Sequence, residues 1–178
     1  MLRVSLLLAL LCTLPLTATA RAAEGPRIAV LEFVSGGGGA EFEALGKGLQ
    51  SMVTTDLSQV PSLRLVERAR LQEIQSELRL GRSGLVDGKT AARIGKLAGA
   101  THLLTGSFAV VGPKMRLDSR LFSVERGDVL AAEKIEGDKD AFFDLQKALV
   151  QKLIESVGVK LAPKERVAVG RVHTTDFE

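Results

Sequence analysis

Leu65 to Phe108 reads LVERARLQEIQSELRLGRSGLVDGKTAARIGKLAGATHLLTGSF, and the order of elements in this one stretch decides the fold. The apolar run Leu63 to Val66, just entering it, has the character of a short strand. Glu67 then opens a helix that carries Leu71, Ile74 and Leu78 on one face. Gly81 and Gly84 loosen the chain. Asp87 is placed as an N-cap, Thr90 to Ala98 forms another helix, and Gly99 stops it. From Thr101 the period changes from helical to strand-like. Strand, two helices and a strand thus follow one another without a catalytic cluster between them.

Upstream, Arg27 to Val34 (RIAVLEFV) is a β-rich apolar run that reads as a largely buried strand. Ser35 and the glycines Gly36 to Gly39 make a loop. Phe42, Leu45, Leu49, Met52, Val53, Leu57 and Val60 then recur at three- and four-residue steps, the stripe of one amphipathic helix ended by Pro61. Downstream, His102 to Val111, Lys114 to Val124 and Asp128 to Glu136 are strands joined by turns at Gly112-Pro113 and Glu125-Arg126-Gly127. The middle strand alternates: Met115, Leu117, Ser119 and Leu121 on one face, Lys114, Arg116, Asp118 and Arg120 on the other. Asp138 or Asp140 starts a last long helix with Phe142, Leu145, Leu149, Leu153 and Val157 on one stripe.

The resulting order, β-α-β-α-α-β-β-β-α, predicts an α/β fold: a mixed sheet packed with about four helices. The charged face from Lys114 to Arg120 predicts a part of the sheet left open. Residues 163–178 are polar with one short alternating piece, Arg166 to Val172, and read as an added edge strand, a tail or a linker.

Residues 1–22 read as a secretory signal: Arg3 is the positive n-region, Val4 to Leu14 the apolar core, and Ala20-Arg21-Ala22 the small-x-small cleavage pattern. Pro15, Thr17 and Thr19 interrupt the apolar run before the roughly 18 residues that a membrane-spanning helix requires. Cleavage after Ala22 removes Arg3 and Arg21, so 24 basic against 21 acidic residues become 22 against 21. Bulk charge then gives no steering toward nucleic acid or anionic lipid. Cys12, the only cysteine, leaves as well. The mature chain is expected to have no disulfide and no thiol chemistry. Leu10-Leu11 before Cys12 do not make a lipobox. Seven Phe, no Trp and no Tyr argue against sugar platforms and base-stacking surfaces.

Residues that could carry chemistry do not assemble into a site. Gly36 to Gly39 lie between a strand and a helix, where phosphate loops sit, but the spacing fails G-x-G-x-x-G at Glu41, and Glu41 and Glu43 oppose an anion there. Gly88-Lys89-Thr90 resembles the end of a phosphate-binding loop, but the required upstream glycine falls on Ser83 and the segment follows a helix. His102 and His173 are the only histidines and do not make a zinc set. No G-x-S-x-G elbow occurs. The reading is a non-enzymatic protein without cofactor or metal. Glu67-Arg68 reads as a structural pair, Glu67 at the helix start and Arg68 reaching a carboxylate such as Glu32 or Asp56.

Ile28 to Phe33, Leu45-Gly-Lys-Gly-Leu49, Val66-Glu67-Arg68 with Leu71, Glu77, Ser83-Gly84, Asp87, Gly95, Gly99-Ala100, Thr105-Gly106-Ser107, and Arg120-Leu121 before a Gly127 turn form an ordered set. In that order the chain resembles the CsgG family of curli production assembly and transport proteins, and more loosely the TolB amino-terminal domain and LpoB-type activators. The resemblance runs from about Arg27 to Leu161 and implies an anticodon-binding-domain-like α/β domain over residues 23–162. It also implies a place in the periplasm or at the outer membrane, as an assembly platform or regulator and not an enzyme. Expected partners are envelope proteins, including curli-type assembly components, or further copies of the chain in a ring. The hairpin loops are only turns, with no roughly 10-residue alternating pair left to span a membrane as a barrel. In some relatives a tetratricopeptide array follows this domain, and Val167 to Glu178 looks like the lead-in to one. A nucleotide- or small-ligand-responsive module using Gly36 to Gly39 is the alternative. The proposed partner-binding residues are Lys114, Arg116, Asp118 and Arg120; the structural motif residues are Glu67, Arg68, Asp87, Gly99 and Gly106.

Overall fold

The computed structural model describes residues 25–37, 40–78 and 86–170. Residues 1–22, read above as a secretory signal, with Cys12, Gly38 and Gly39 of the glycine loop, Gly81, Ser83 and Gly84, and the final stretch with His173 lie outside the described residues. The elements run β1 (Arg27–Ser35), α1 (Ala40–Ser58), β2 (Arg64–Leu65), α2 (Arg68–Glu77), α3 (Gly88–Ala98), β3 (His102–Val111), β4 (Lys114–Ser123), β5 (Val129–Asp138), a 3-10 turn (Lys139–Ala141), α4 (Phe142–Ser156) and α5 (Pro163–Gly170). The five strands make one open mixed sheet in the order β2-β1-β3-β4-β5. Parallel pairing of β1 with β2 and β3 gives way to antiparallel pairing from β3 to β5.

The element order matches the sequence expectation through α4. The correction is at residues 163–170, which form α5 and not an edge strand. Pro163 suits the first turn of a helix because its missing N–H would be unpaired there anyway. Glu165 accepts a hydrogen bond from the Ala162 N–H at 2.7 Å, and Val169 is buried in the main core. Helical capping and burial of one valine outweigh the short alternation that looked strand-like.

Two cores lie on opposite faces of the sheet. The larger packs Leu49, Val53 and Leu57 of α1 and Leu149, Val150 and Leu153 of α4 onto Val30, Leu104, Leu117 and Leu121. The smaller packs Leu71 and Ile74 of α2 and Ala91 and Ile94 of α3 onto Ala29, Leu31, Leu103 and Phe122. A register shift in β1 between Val30 and Phe33 inserts an extra residue against β3. Side chains alternate along a strand, so the extra residue turns Phe33 onto the same face as Val30. Its ring then lies over Gly106, where a Cβ would run into the ring. Gly46 of α1 closes the other side: a Cβ there would collide with the Phe33 carbonyl. Phe42 joins the group, tilted 50° to Phe108 at a ring-centroid distance of 6.2 Å.

Candidate functional site

The helices do not cover the sheet evenly. α1 and α4 span the larger core, but α2 and α3 pack against residues of β1, the start of β3 and the end of β4. Among the described residues, no helix covers the rest of that second face, on β3, β4 and β5. β4 shows the consequence within a single strand: Met115, Leu117 and Leu121 are at most 4% exposed, whereas Lys114, Arg116 and Arg120 face solvent.

Register builds a grid on this face. Thr105 lies opposite Arg120 and Arg120 opposite Ala132; Ser107 opposite Asp118 and Asp118 opposite Lys134; Arg116 opposite Glu136; and Lys114 opposite Asp138. Arg116 grips Asp118 with two hydrogen bonds, from Nε and Nη2, both 2.7 Å, and reaches Glu136 at 3.3 Å. Hydrogen bonding to Asp118 raises the Arg116 pKa above its ordinary value. Lys114 Nζ lies 2.7 Å from Asp138, and Lys134 lies 3.4 Å from Glu136. Arg120 has no ion-pair partner among the described residues. It lines an open recess of about 350 Å³ together with Thr105, Ser107, Arg116, Asp118 and Lys134. The four residues singled out from the sequence therefore share one exposed surface, and Lys134, Glu136 and Asp138 of β5 complete it. The alternation of β5 is weaker than that of β4 (VLAAEKIEGD), so its charges were legible only once pairing put them opposite β4.

The structural motif residues fall as follows. Asp87 caps α3: its Oδ1 accepts from the Thr90 N–H at 2.7 Å, and that bond holds its carboxyl below the usual range. Gly99 ends α3 in the left-handed region at φ 65°, where a side chain is strained. Gly106 seats Phe33, as above. Glu67 stands at the N-cap of α2 without a side-chain cap bond. The expected ion pair of Arg68 with Glu32 or Asp56 is not formed. α1 and α2 lie on opposite faces of the sheet, so Asp56 belongs to the other core.

Asp56 instead anchors a polar cluster that sequence reading missed. Lys147 Nζ lies 2.6 Å from its Oδ1, and Gln146 Nε2 donates to its Oδ2 at 2.8 Å, with the ion pair only 12% and 11% exposed. Nearby, Gln50 Nε2 donates to the Val30 carbonyl at 2.7 Å. The available signal was positional: Asp56 and Gln146 sit inside the apolar arcs of their helices, next to Leu57 and Leu145.

In the glycine loop, the Gly36 N–H donates to the Phe108 carbonyl at 2.8 Å and the Gly37 N–H to Ser35 Oγ at 3.0 Å. The two loop amides described are thus already bonded within the chain. His102 bonds through Nδ1 to Thr101 Oγ1 at 2.8 Å, and burial, with Arg126 nearby, lowers its pKa. Among the described residues no group of three or more His, Cys, Asp or Glu side chains could hold a metal ion, and no helix is long and apolar enough to cross a membrane.

The fold is an open mixed sheet with helices on both faces and, among the described residues, one charged quadrant left bare. The chain belongs to the CsgG family, the curli production assembly/transport component CsgG, whose model matches residues 11–112. That match ends before β4, so the charged face lies beyond it. Solved structures with a similar fold include the LpoB C-terminal domain from Escherichia coli (TM-score 0.52, 19% identity, 64% of this chain and 83% of that one). Lipoprotein GNA1162 from Neisseria meningitidis is similar at TM-score 0.54 and 13% identity, over 77% of this chain and 99% of that one. TolB from Acinetobacter baumannii is similar at TM-score 0.51 and 13% identity, over 75% of this chain and 28% of that one. At these identities the likeness concerns the fold alone. None of the curated protein sequences matches significantly. By its description, the family matched is a curli assembly and transport component, a non-enzymatic envelope role.

Proposed function

We propose that this chain is an exported, non-enzymatic scaffold or regulator of envelope assembly, working in the periplasm and binding another protein through the bare half of its sheet. The observation that carries the reading is the division of β4, whose inner face is packed while Lys114, Arg116 and Arg120 remain on an uncovered surface. Such a surface presents a fixed charge pattern against which a partner of complementary charge can lie. Family membership supports an envelope role, and the signal-like residues 1–22 support export.

Crosslinking in intact cells from photoreactive residues at Lys114 and Arg120 tests the site. A discrete envelope protein should be captured from each position, and reversing the charge at the other position together with Arg116→Glu should abolish capture without unfolding the domain. Crosslinks and phenotype that survive the reversal would show the surface to be merely solvated. Fractionation tests the location: recovery in the osmotic-shock fraction is expected, and recovery only from detergent-extracted outer membrane overturns it.

A further inference from the structure

The outer edge of β5 is unpaired among the described residues, and its charge pattern matches itself. We propose that a second copy of this chain docks on it, β5 against β5, in an antiparallel pairing centred on Ile135.

The backbone sets which residues can pair. The Lys139 N–H donates to the Pro113 carbonyl at 2.8 Å, which makes that opposed pair a hydrogen-bonded one. Such pairs alternate along an antiparallel ladder, so Gly137, Ile135 and Glu133 turn their N–H and C=O groups toward β4. Ala132, Lys134, Glu136 and Asp138 turn theirs to the free edge. Their side chains share the charged face with Arg116, Asp118 and Arg120. The β4–β5 register shifts between Leu121 and Phe122, opposite Leu130. The regular ladder on β5 therefore begins at Ala131, and Ile135 stands at its middle.

A two-fold axis through Ile135 that keeps the helix-covered face of both copies on one side brings Lys134 opposite Glu136 of the second copy, twice by symmetry. Ala132 comes opposite Asp138. Ala132 is small, and Arg120, which has no ion-pair partner among the described residues, stands directly behind it on β4. The acidic side chain of Asp138 from the second copy therefore faces a guanidinium across a methyl group. On the helix side the two Ile135 side chains meet in a non-hydrogen-bonded pair, the closer kind. Shifting the axis by one residue along the strand puts like charges on it: Lys134 against Lys134, or Glu136 against Glu136. Opposite-charge cross-strand pairs stabilise and like pairs destabilise, so the pattern selects one register. Charges on an edge usually discourage pairing; here their order favours it with an identical strand. The product is an isologous dimer with one continuous sheet and the two charged faces side by side.

This inference stands apart from the partner reading: a chain that dimerises but captures no envelope protein keeps the one and loses the other. The test uses the purified full chain in a Cys12→Ser background, so that an introduced cysteine is the sole thiol. Ile135→Cys should form an intermolecular disulfide under mild oxidation, because non-hydrogen-bonded antiparallel pairs place Cα atoms within disulfide reach. Lys134→Cys should not, being offset by two residues from its own copy. In sedimentation equilibrium the cysteine-free chain should dimerise. Lys134→Glu should weaken the dimer by roughly tenfold or more, and Lys134→Glu combined with Glu136→Lys should restore it. A monomer at every concentration without the Ile135 crosslink, crosslinking at position 134 instead, or association indifferent to Lys134→Glu would each overturn the proposal.

Discussion

The two faces of β4 share one backbone and differ in everything else. Inward, Met115, Leu117 and Leu121 join a core closed by α1 and α4; outward, Lys114, Arg116, Asp118 and Arg120 meet one another, their neighbours on β3 and β5, and solvent. The two sides carry ion pairs of similar length, 2.6 Å for the largely buried Asp56–Lys147 between α1 and α4 and 2.7 Å for Lys114–Asp138 in the open. Their energetic meaning is opposite. A covered pair left with one member strands a charge that water cannot reach, whereas an exposed pair simply exchanges its partner for water. The covered face therefore holds the domain together, and the open face is at liberty to carry recognition.

The largest expected effect comes from breaking the covered pair. Lys147→Met should cost about 3 kcal/mol in urea unfolding, since Asp56 stays behind, mostly buried. Lys114→Met on the open face should cost less than about 1 kcal/mol. Equal losses would mean that the two faces are not distinct in the way described.

Next come the glycines around Phe33. Gly46→Ala and Gly106→Ala should each cost about 1–3 kcal/mol, because the new methyl meets the Phe33 carbonyl or ring and something in a packed core must shift. Gly48→Ala lies two residues along the same helix with open space around it. It should stabilise by up to about 1 kcal/mol through helix propensity alone. Loss of stability at Gly48 would sink the assignment of which side of α1 approaches the sheet.

The smallest effect is a pH dependence from His102. Burial, then the positive charge of Arg126, lowers its folded pKa below the ordinary 6.5. The unfolded chain therefore binds the proton more readily, and this contribution to stability is present above pH 6.5 and lost as pH falls through the folded pKa. Melting temperatures taken from pH 7.5 to 5.5 should decline in the native chain, and His102→Asn should flatten that decline. An unchanged slope would show that other groups titrate there.

The sequence was legible wherever a single period or a single residue type decides the local structure. Three- and four-residue apolar spacing marked α1 and α4, strict alternation marked β4, and Asp87 and Gly99 bracketed α3 because a cap and a left-handed stop act within one turn of chain. The charged face of β4 was readable for the same reason, as was the resemblance borne out by family membership. Tertiary structure alone decided what depends on a distant neighbour. It placed α1 and α2 on opposite faces, which took Asp56 from Arg68 and joined it to Lys147. It turned Phe33 through a bulge defined only by pairing with β3, made residues 163–170 a helix because α4 offered a place to bury Val169, and set Lys134 and Glu136 beside Arg116. Local propensity acts over one turn or one pleat, whereas pairing, burial and the fate of a buried charge depend on residues brought together from across the chain.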